Sequence, residues 1–271
     1  MFFLRILSNM DNVFRKVSKV SIKTKKDRNR TILDDVYFTA PFKIMRPFYI
    51  DDDYIRIVVM SSSAGIMAGD RQEYNINVGQ DTKLEVTSQS YEKIHKMNEG
   101  KAVRYCEINV DENAFLKYNP QPTIPFAESY FESKMQVDLQ DESSKVILTD
   151  IISCGRSNSG EKFQYKSYHS FMEVRCKGKI IYRDNTLYDP NSINMNGYGF
   201  FEGYTHLANI FIGNFNGDEK FIEEISKLID EDIEVTGGVT LTKDKDVSIK
   251  ILGYSGQKLS DLSDEIMGWL F

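Results

Sequence analysis

From Ile55 to about Phe215 the chain alternates apolar and polar residues in short bursts, and this pattern constrains the fold more than any other feature. Tyr74, Ile76 and Val78 alternate with polar neighbours, as do Leu84 and Val86, and again Met135, Val137 and Leu139. A period of two places such side chains on one buried face of a strand. Residues 55–60 add a short apolar run of strand length. Turn-forming residues interrupt at Gly69-Asp70, Gly79-Gln80-Asp81, Asn98-Glu99-Gly100, Asp111-Glu112-Asn113, Asp141-Glu142, 157–160 and Lys177-Gly178. Many short strands at this spacing predict a sandwich, a barrel or a β-solenoid. Spacing does not choose among them, and no self-similar motif of fixed length recurs.

The last fifth changes period. Asp218 is placed to cap a helix running to about Asp230, with Phe221, Ile222, Ile225, Leu228 and Ile229 on one stripe. Residues 239–241 and 247–252 read as two strands joined by the polar turn 242–246. Leu259, Leu262, Ile266 and Trp269 then mark a second amphipathic helix over 257–270. Both stripes serve a core, or else form a partner groove in which Trp269 and Phe271 reach outward.

The 271 residues suffice for a sizeable core, and 41% hydrophobic with 27% charged composition excludes wholesale disorder. A net charge of −6 argues against nucleic acid as the main partner. The three cysteines, Cys106, Cys154 and Cys176, are odd in number and widely spaced. That usage fits a reducing compartment, and the chain reads as cytoplasmic. The apolar opening Met1-Phe2-Phe3-Leu4 lacks the charged region that precedes a signal core, and no run of 18 apolar residues predicts a membrane span. Residues 15–30 carry eight basic residues and one acid. They read as a solvated basic arm or an exposed first strand, with a docking surface for an acidic partner as the alternative. The division expected is a variable basic arm over 1–30 and a single β domain over 31–271.

Catalytic and metal signatures are missing. Gly178-Lys179-Ile180 lacks both the upstream glycine and the hydroxyl of a phosphate loop. Residues 197–203 miss the third glycine of a dinucleotide fingerprint by one position. Residues 155–160 misplace the second glycine of a nucleophile elbow. His95, His169 and His206 stand far apart, and no H-E-x-x-H or C-x-x-C occurs, so no metal ligand set is assigned.

Six segments in order carry a resemblance. They are Ala64-Gly65-Ile66-Met67-Ala68-Gly69-Asp70; the strand and loop from Leu84 to His95, with Ser88, Gln89, Glu92 and Lys93; and Tyr118-Asn119-Pro120-Gln121-Pro122-Thr123-Ile124-Pro125-Phe126. Then come Asp150-Ile151-Ile152-Ser153-Cys154-Gly155-Arg156 with Gly160-Glu161-Lys162-Phe163, next Tyr182 to Pro190 through Asp184, and Gly203-Tyr204. Together they resemble the UreD family of urease accessory proteins, called UreH in some organisms, from about Phe38 onward. Near the end, Lys250 stands where the family pattern leads one to expect arginine.

The resemblance implies a mostly β fold, an open right-handed β-helix-like stack of many short strands with two C-terminal α-helices. It implies a non-enzymatic urease maturation chaperone. Its partners would be UreF, the GTPase UreG and the urease structural subunits, and Ni²⁺ would pass transiently with no permanent cofactor. Spaced carboxylates hold a divalent ion loosely enough to release it. Asp70, Asp150, Glu161 and Asp184 are therefore the channel candidates, with capping or ion pairing as their competing roles. Phe126 is expected to plug the core, and Phe201, Tyr204 and Trp269 to meet partners. A carbohydrate-active β-solenoid and a generic β scaffold are the alternatives.

Overall fold

A computed structural model describes residues 17–270. The apolar opening, the first half of the expected basic arm and Phe271 lie outside the described residues. In chain order the strands are β1 (Ser18–Asp27), β2 (Arg30–Phe38), β3 (Phe42–Ile44), β4 (Phe48–Asp51), β5 (Tyr54–Ser61) and β6 (Arg71–Val78). There follow β7 (Lys83–Ser88), β8 (Glu92–Ile94), β9 (Ala102–Val110), β10 (Phe115–Tyr118), β11 (Thr123–Pro125) and β12 (Tyr130–Leu139). The remainder are β13 (Lys145–Ser153), β14 (Ser167–Cys176), β15 (Lys179–Tyr188), β16 (His206–Gly213), β17 (Val235–Leu241) and β18 (Val247–Gly253). Helix α1 (Glu219–Asp230) precedes β17 and α2 (Gly256–Gly268) follows β18.

Two sheets face each other. The first runs β15-β14-β12-β9-β6-β1-β2 and the second β17-β18-β16-β13-β10-β7-β5-β3, with β4 on β5, and β11 joining β8 to β13. The chain passes from β5 in the second sheet to β6 in the first, back to β7, and on through β9, β10, β12, β13 and β14. Within each sheet these strands pair in parallel. Parallel neighbours need a long crossover, and here the crossover of one sheet is a strand of the other. Tyr54, Lys83, Phe115 and Lys145 lie side by side, so the rungs recur at similar but unequal spacing. Insertions in the turns explain why no fixed repeat is visible. The end strands β2, β15, β3 and β17 leave both sheets open, which excludes a closed barrel.

The alternating residues fill the space between the sheets: Ile57, Ile76, Leu84, Ile108, Val137 and Val174 are fully buried there. The outer face of the second sheet buries Ile147, Ile151, Ile210 and Ile249 under the helices. Ile225 and Ile229 come from α1, and Leu259, Leu262 and Ile266 from α2. Each such aliphatic side chain contributes about 1.5–3 kcal/mol when removed from water. Asp218 caps α1 by accepting from Phe221 N at 2.8 Å, and Ser255 caps α2 by accepting from Lys258 N at 3.3 Å. Part of the basic run forms β1, paired with β2 and β6. Val20, Ile22 and Thr24 point inward, while Lys23 and Lys25 reach Asp34 at 3.1 and 2.8 Å. No helix among the described residues is long and apolar enough to cross a membrane.

Candidate functional site: a polar row between the sheets

Four strands of the first sheet begin their inward phase with a polar residue. Gln72 pairs with Arg104, Arg104 with Ser133, and Ser133 with Ser170; Ser18 of β1 precedes the row and Thr186 of β15 ends it. In the second sheet Asp150, Asn209 and Lys250 lie side by side on β13, β16 and β18. The rows meet across the interior. Ser170 Oγ donates to Asp150 Oδ2 at 2.9 Å, Asn209 Nδ2 donates to Asp184 Oδ2 at 3.3 Å, and Lys250 Nζ lies 2.5 Å from the same oxygen. Tyr182 OH donates to Asn209 Oδ1 at 3.2 Å.

A cavity of about 220 Å³ opens along the row, lined among others by Asp70, Gln72, Glu92, Arg104, Asp150 and Ser170. One water needs only about 10–15 Å³ of such space, so the cavity has room for a hydrated ion. Arg104 fixes its wall: Nε donates to Gln72 Oε1 at 2.9 Å, Nη2 pairs with Glu92, and the guanidinium packs on the rings of Tyr74 and Phe131 at 5.3 and 5.5 Å. Burial works against the Arg104 charge, but Glu92 and Tyr74 outweigh it and raise the pKa further. Asp150 is half-buried and lines the cavity. Burial pushes its carboxyl pKa upward, against the Ser170 hydrogen bond and with the nearby Asp184.

Of the four carboxylates expected along a channel, Asp70 and Asp150 line this cavity, and Asp184 extends the row beyond it. Asp70 also caps its turn by accepting from Met67 N at 2.8 Å, and burial raises its pKa. Glu161 stands apart. Its Oε2 takes Arg156 Nε at 2.8 Å and Nη2 at 2.5 Å, and its Oε1 takes the Ala127 N–H, so it clamps a loop and does not line the cavity.

Among the motif residues, Gly65, Ser88, Gln89, Glu92 and Lys93 line the cavity, while Gly155, Arg156 and Gly160 belong to the Glu161 loop. Gly65 has φ +152°, and a Cβ there would strike Lys93 O and the His95 ring, so only glycine lets these loops touch. Gly69 and Gly160 turn the chain at φ 80° and 76°. Ile66 N donates to Lys93 O, Glu92 N to Pro122 O, Gln89 N to Val59 O, and Gln121 N to Ser88 Oγ. Pro125 ends β11 beside Ile94. Gly155, at φ +130°, lets Glu161 O approach where a Cβ would stand 2.7 Å from it.

Two aromatic expectations are corrected. Phe201 is fully buried against Phe163 and Tyr188, with ring centroids at 4.9 and 6.1 Å, and offers no surface to a partner. Phe126 is half-buried rather than a core plug, because the Arg156 guanidinium covers it at 4.4 Å. Tyr204 packs on Tyr254 at 4.6 Å, and Trp269 is 42% exposed.

Soft ligands take no part. Burial pushes the Cys106 thiol up to about 12 and that of Cys154 to about 11. Each histidine is occupied separately: His95 by Ala64 O, His169 by Asn185 Oδ1, and His206 by Thr205 Oγ1. No cluster of three or more His, Cys, Asp or Glu able to hold a metal occurs among the described residues. The site offers oxygen donors spaced along a row, an arrangement that suits a hard or borderline cation held briefly. The sequence reading missed Gln72, Arg104, Ser133, Ser170 and Asn209, which only strand register brings together.

Comparison with known proteins agrees with the resemblance. The family model described as UreD urease accessory protein matches residues 16–270. The chain is 36% identical over 263 residues to a urease accessory protein UreD of Acetivibrio thermocellus, covering 97% of this chain and 100% of that protein. It is 36% identical over 256 residues to a urease accessory protein UreH of Helicobacter pylori, covering 94% and 95%. It is 37% identical over 254 residues to a urease accessory protein UreH of Helicobacter acinonychis, covering 92% and 93%.

Proposed function

The chain belongs to the UreD urease accessory protein family, and from that premise we propose that it is a non-catalytic chaperone passing Ni²⁺ towards apo-urease through its interior. In this reading it works in the cytoplasm with UreF, the GTPase UreG and the urease structural subunits. The parallel rungs that alternate between sheets are the coils of an open stack, and the polar row is the path across it. Tyr204 and Trp269 are candidate partner contacts.

The observation that carries the reading is Asp150, a carboxylate lining a hydrated-ion-sized cavity whose hydrogen-bond partner is the neutral Ser170. Burying a carboxylate away from a cation is costly, so such a group is a natural station for a passing one. Asp70 stands at the mouth and Asp184 at the far end. Expression of Asp150→Asn with an intact urease gene cluster tests this. Urease activation should drop at least about tenfold, the effect of a barrier raised by about 1.4 kcal/mol, while the variant still co-purifies with its accessory partners. Full activation would end the reading.

A further inference from the structure

Three carboxylates punctuate the polar row, and the chain supplies its own cation to two of them. Glu92 holds Arg104, and Asp184 holds Lys250, with the Lys250 side chain about half exposed. Among the described residues no salt bridge reaches Asp150, which lies between the two pairs. The resident cations differ in freedom. Lys250 ends a flexible stem, whereas Arg104 is anchored by Gln72 and Glu92 and wedged between two rings, with its side chain only 12% exposed.

We propose that Arg104 is a fixed counter-charge that keeps the Glu92–Asp150 cavity a weak, quickly emptied station for a divalent cation. The inference rests on the reading of the cavity as part of a cation path and assigns a regulator to that path. A divalent ion at Asp150 gains from that carboxylate and from Glu92, and Arg104 cancels much of the second attraction across the shared cavity. Transit needs binding strong enough to admit the ion and weak enough to release it. Without the guanidinium, Glu92 and Asp150, with Asp70 in the same wall, face one cavity whose remaining basic residue is Lys93, and the station becomes a trap. Lysine lacks the fork that engages Gln72 and Glu92 together, but it keeps the charge.

The test is equilibrium dialysis of the full-length chain, purified with its accessory partners, against Ni²⁺. Arg104→Met should bind Ni²⁺ at least about tenfold tighter than the parent, the change expected from removing a unit charge nearby. The gain should vanish in Arg104→Met/Asp150→Asn, and Arg104→Lys should stay near the parent. Thermal unfolding of each variant separates this from loss of packing. A folded Arg104→Met with unchanged or weaker Ni²⁺ binding overturns the proposal, as does a gain that survives Asp150→Asn. Should the methionine variant not fold, Glu92→Gln decides: Ni²⁺ occupancy must fall several-fold, and unchanged occupancy overturns the proposal. Failure of the path itself reads out differently, as normal urease activation in Asp150→Asn whatever the Arg104 variants bind.

Discussion

Asp184 of β15 and Lys250 of β18 join the two sheets near their open end, Oδ2 to Nζ at 2.5 Å, with Thr186 Oγ1 donating to Asp184 Oδ1 at 2.6 Å. The carboxylate is 12% exposed, so removing its cation leaves a largely buried charge with only neutral donors. Lys250→Met should destabilise the fold by about 1–2 kcal/mol, a value moderated by the half-exposed ammonium. Lys250→Arg should be close to neutral. Urea unfolding of both variants measures the difference.

Gly65→Ala should cost more than about 2 kcal/mol, because the added methyl meets both a strained backbone angle and the carbonyl of Lys93. The damage should spread to the loop ending at His95. Hydrogen exchange is the measurement: the Ile66 amide, which donates to Lys93 O, should lose protection first.

Glu161 and Asp150 should separate cleanly. Glu161→Ala leaves the Ala127 N–H without its acceptor and frees Arg156, at a cost of about 1–3 kcal/mol. Its effect on urease activation should follow that stability loss and disappear at lowered growth temperature. Asp150→Asn should keep near-parental stability and remain defective at every temperature.

His206 gives a pH signature. It is buried and donor-paired with Thr205, and burial lowers its pKa from 6.5 to about 4. The folded state therefore refuses a proton that the unfolded state accepts. Between pH 6.5 and about 4 the unfolded chain binds more protons, so stability falls as pH falls, by up to about 3 kcal/mol across the window. His206→Gln should flatten that slope. A thermal melt series from pH 7.5 to 4.5 checks it, and an unchanged slope assigns the acid sensitivity elsewhere.

The elements were legible wherever a local period decides them. The alternation through Tyr74, Ile76 and Val78 names β6 and its inward face, and the stripe from Phe221 to Ile229 names α1 with its Asp218 cap. The polar row was harder to read. Gln72, Arg104, Ser133 and Ser170 each sit two residues before an apolar inward position, where a lone polar residue looks like the frayed start of a strand. The signal was present as the same phase in four strands, but register is a long-range property, and only pairing turns four strand ends into one line. The acids were nominated from segments, so Glu161 came with Asp150 although a loop takes one and the cavity the other. Phe201 misled because an aromatic among glycines and polar residues resembles an exposed loop, while Phe163 and Tyr188 pack over its ring.

The alternation of successive strands between the sheets has a consequence for how the interior comes into being. From Gln72 to Ser170 each polar position lies beside a neighbour that arrives only after the chain has visited the opposite wall and returned, whereas the β14–β15 hairpin sets Thr186 beside Ser170 directly. No fragment of the chain holds two adjacent steps between Gln72 and Ser170 before that circuit is complete. A slip of one residue in the pairing of β9 would turn Arg104 out of the interior and set Val103 or Tyr105 in its place. Continuity of the interior is thus a property of the ladders, kept by strand register while the turns between rungs differ in length.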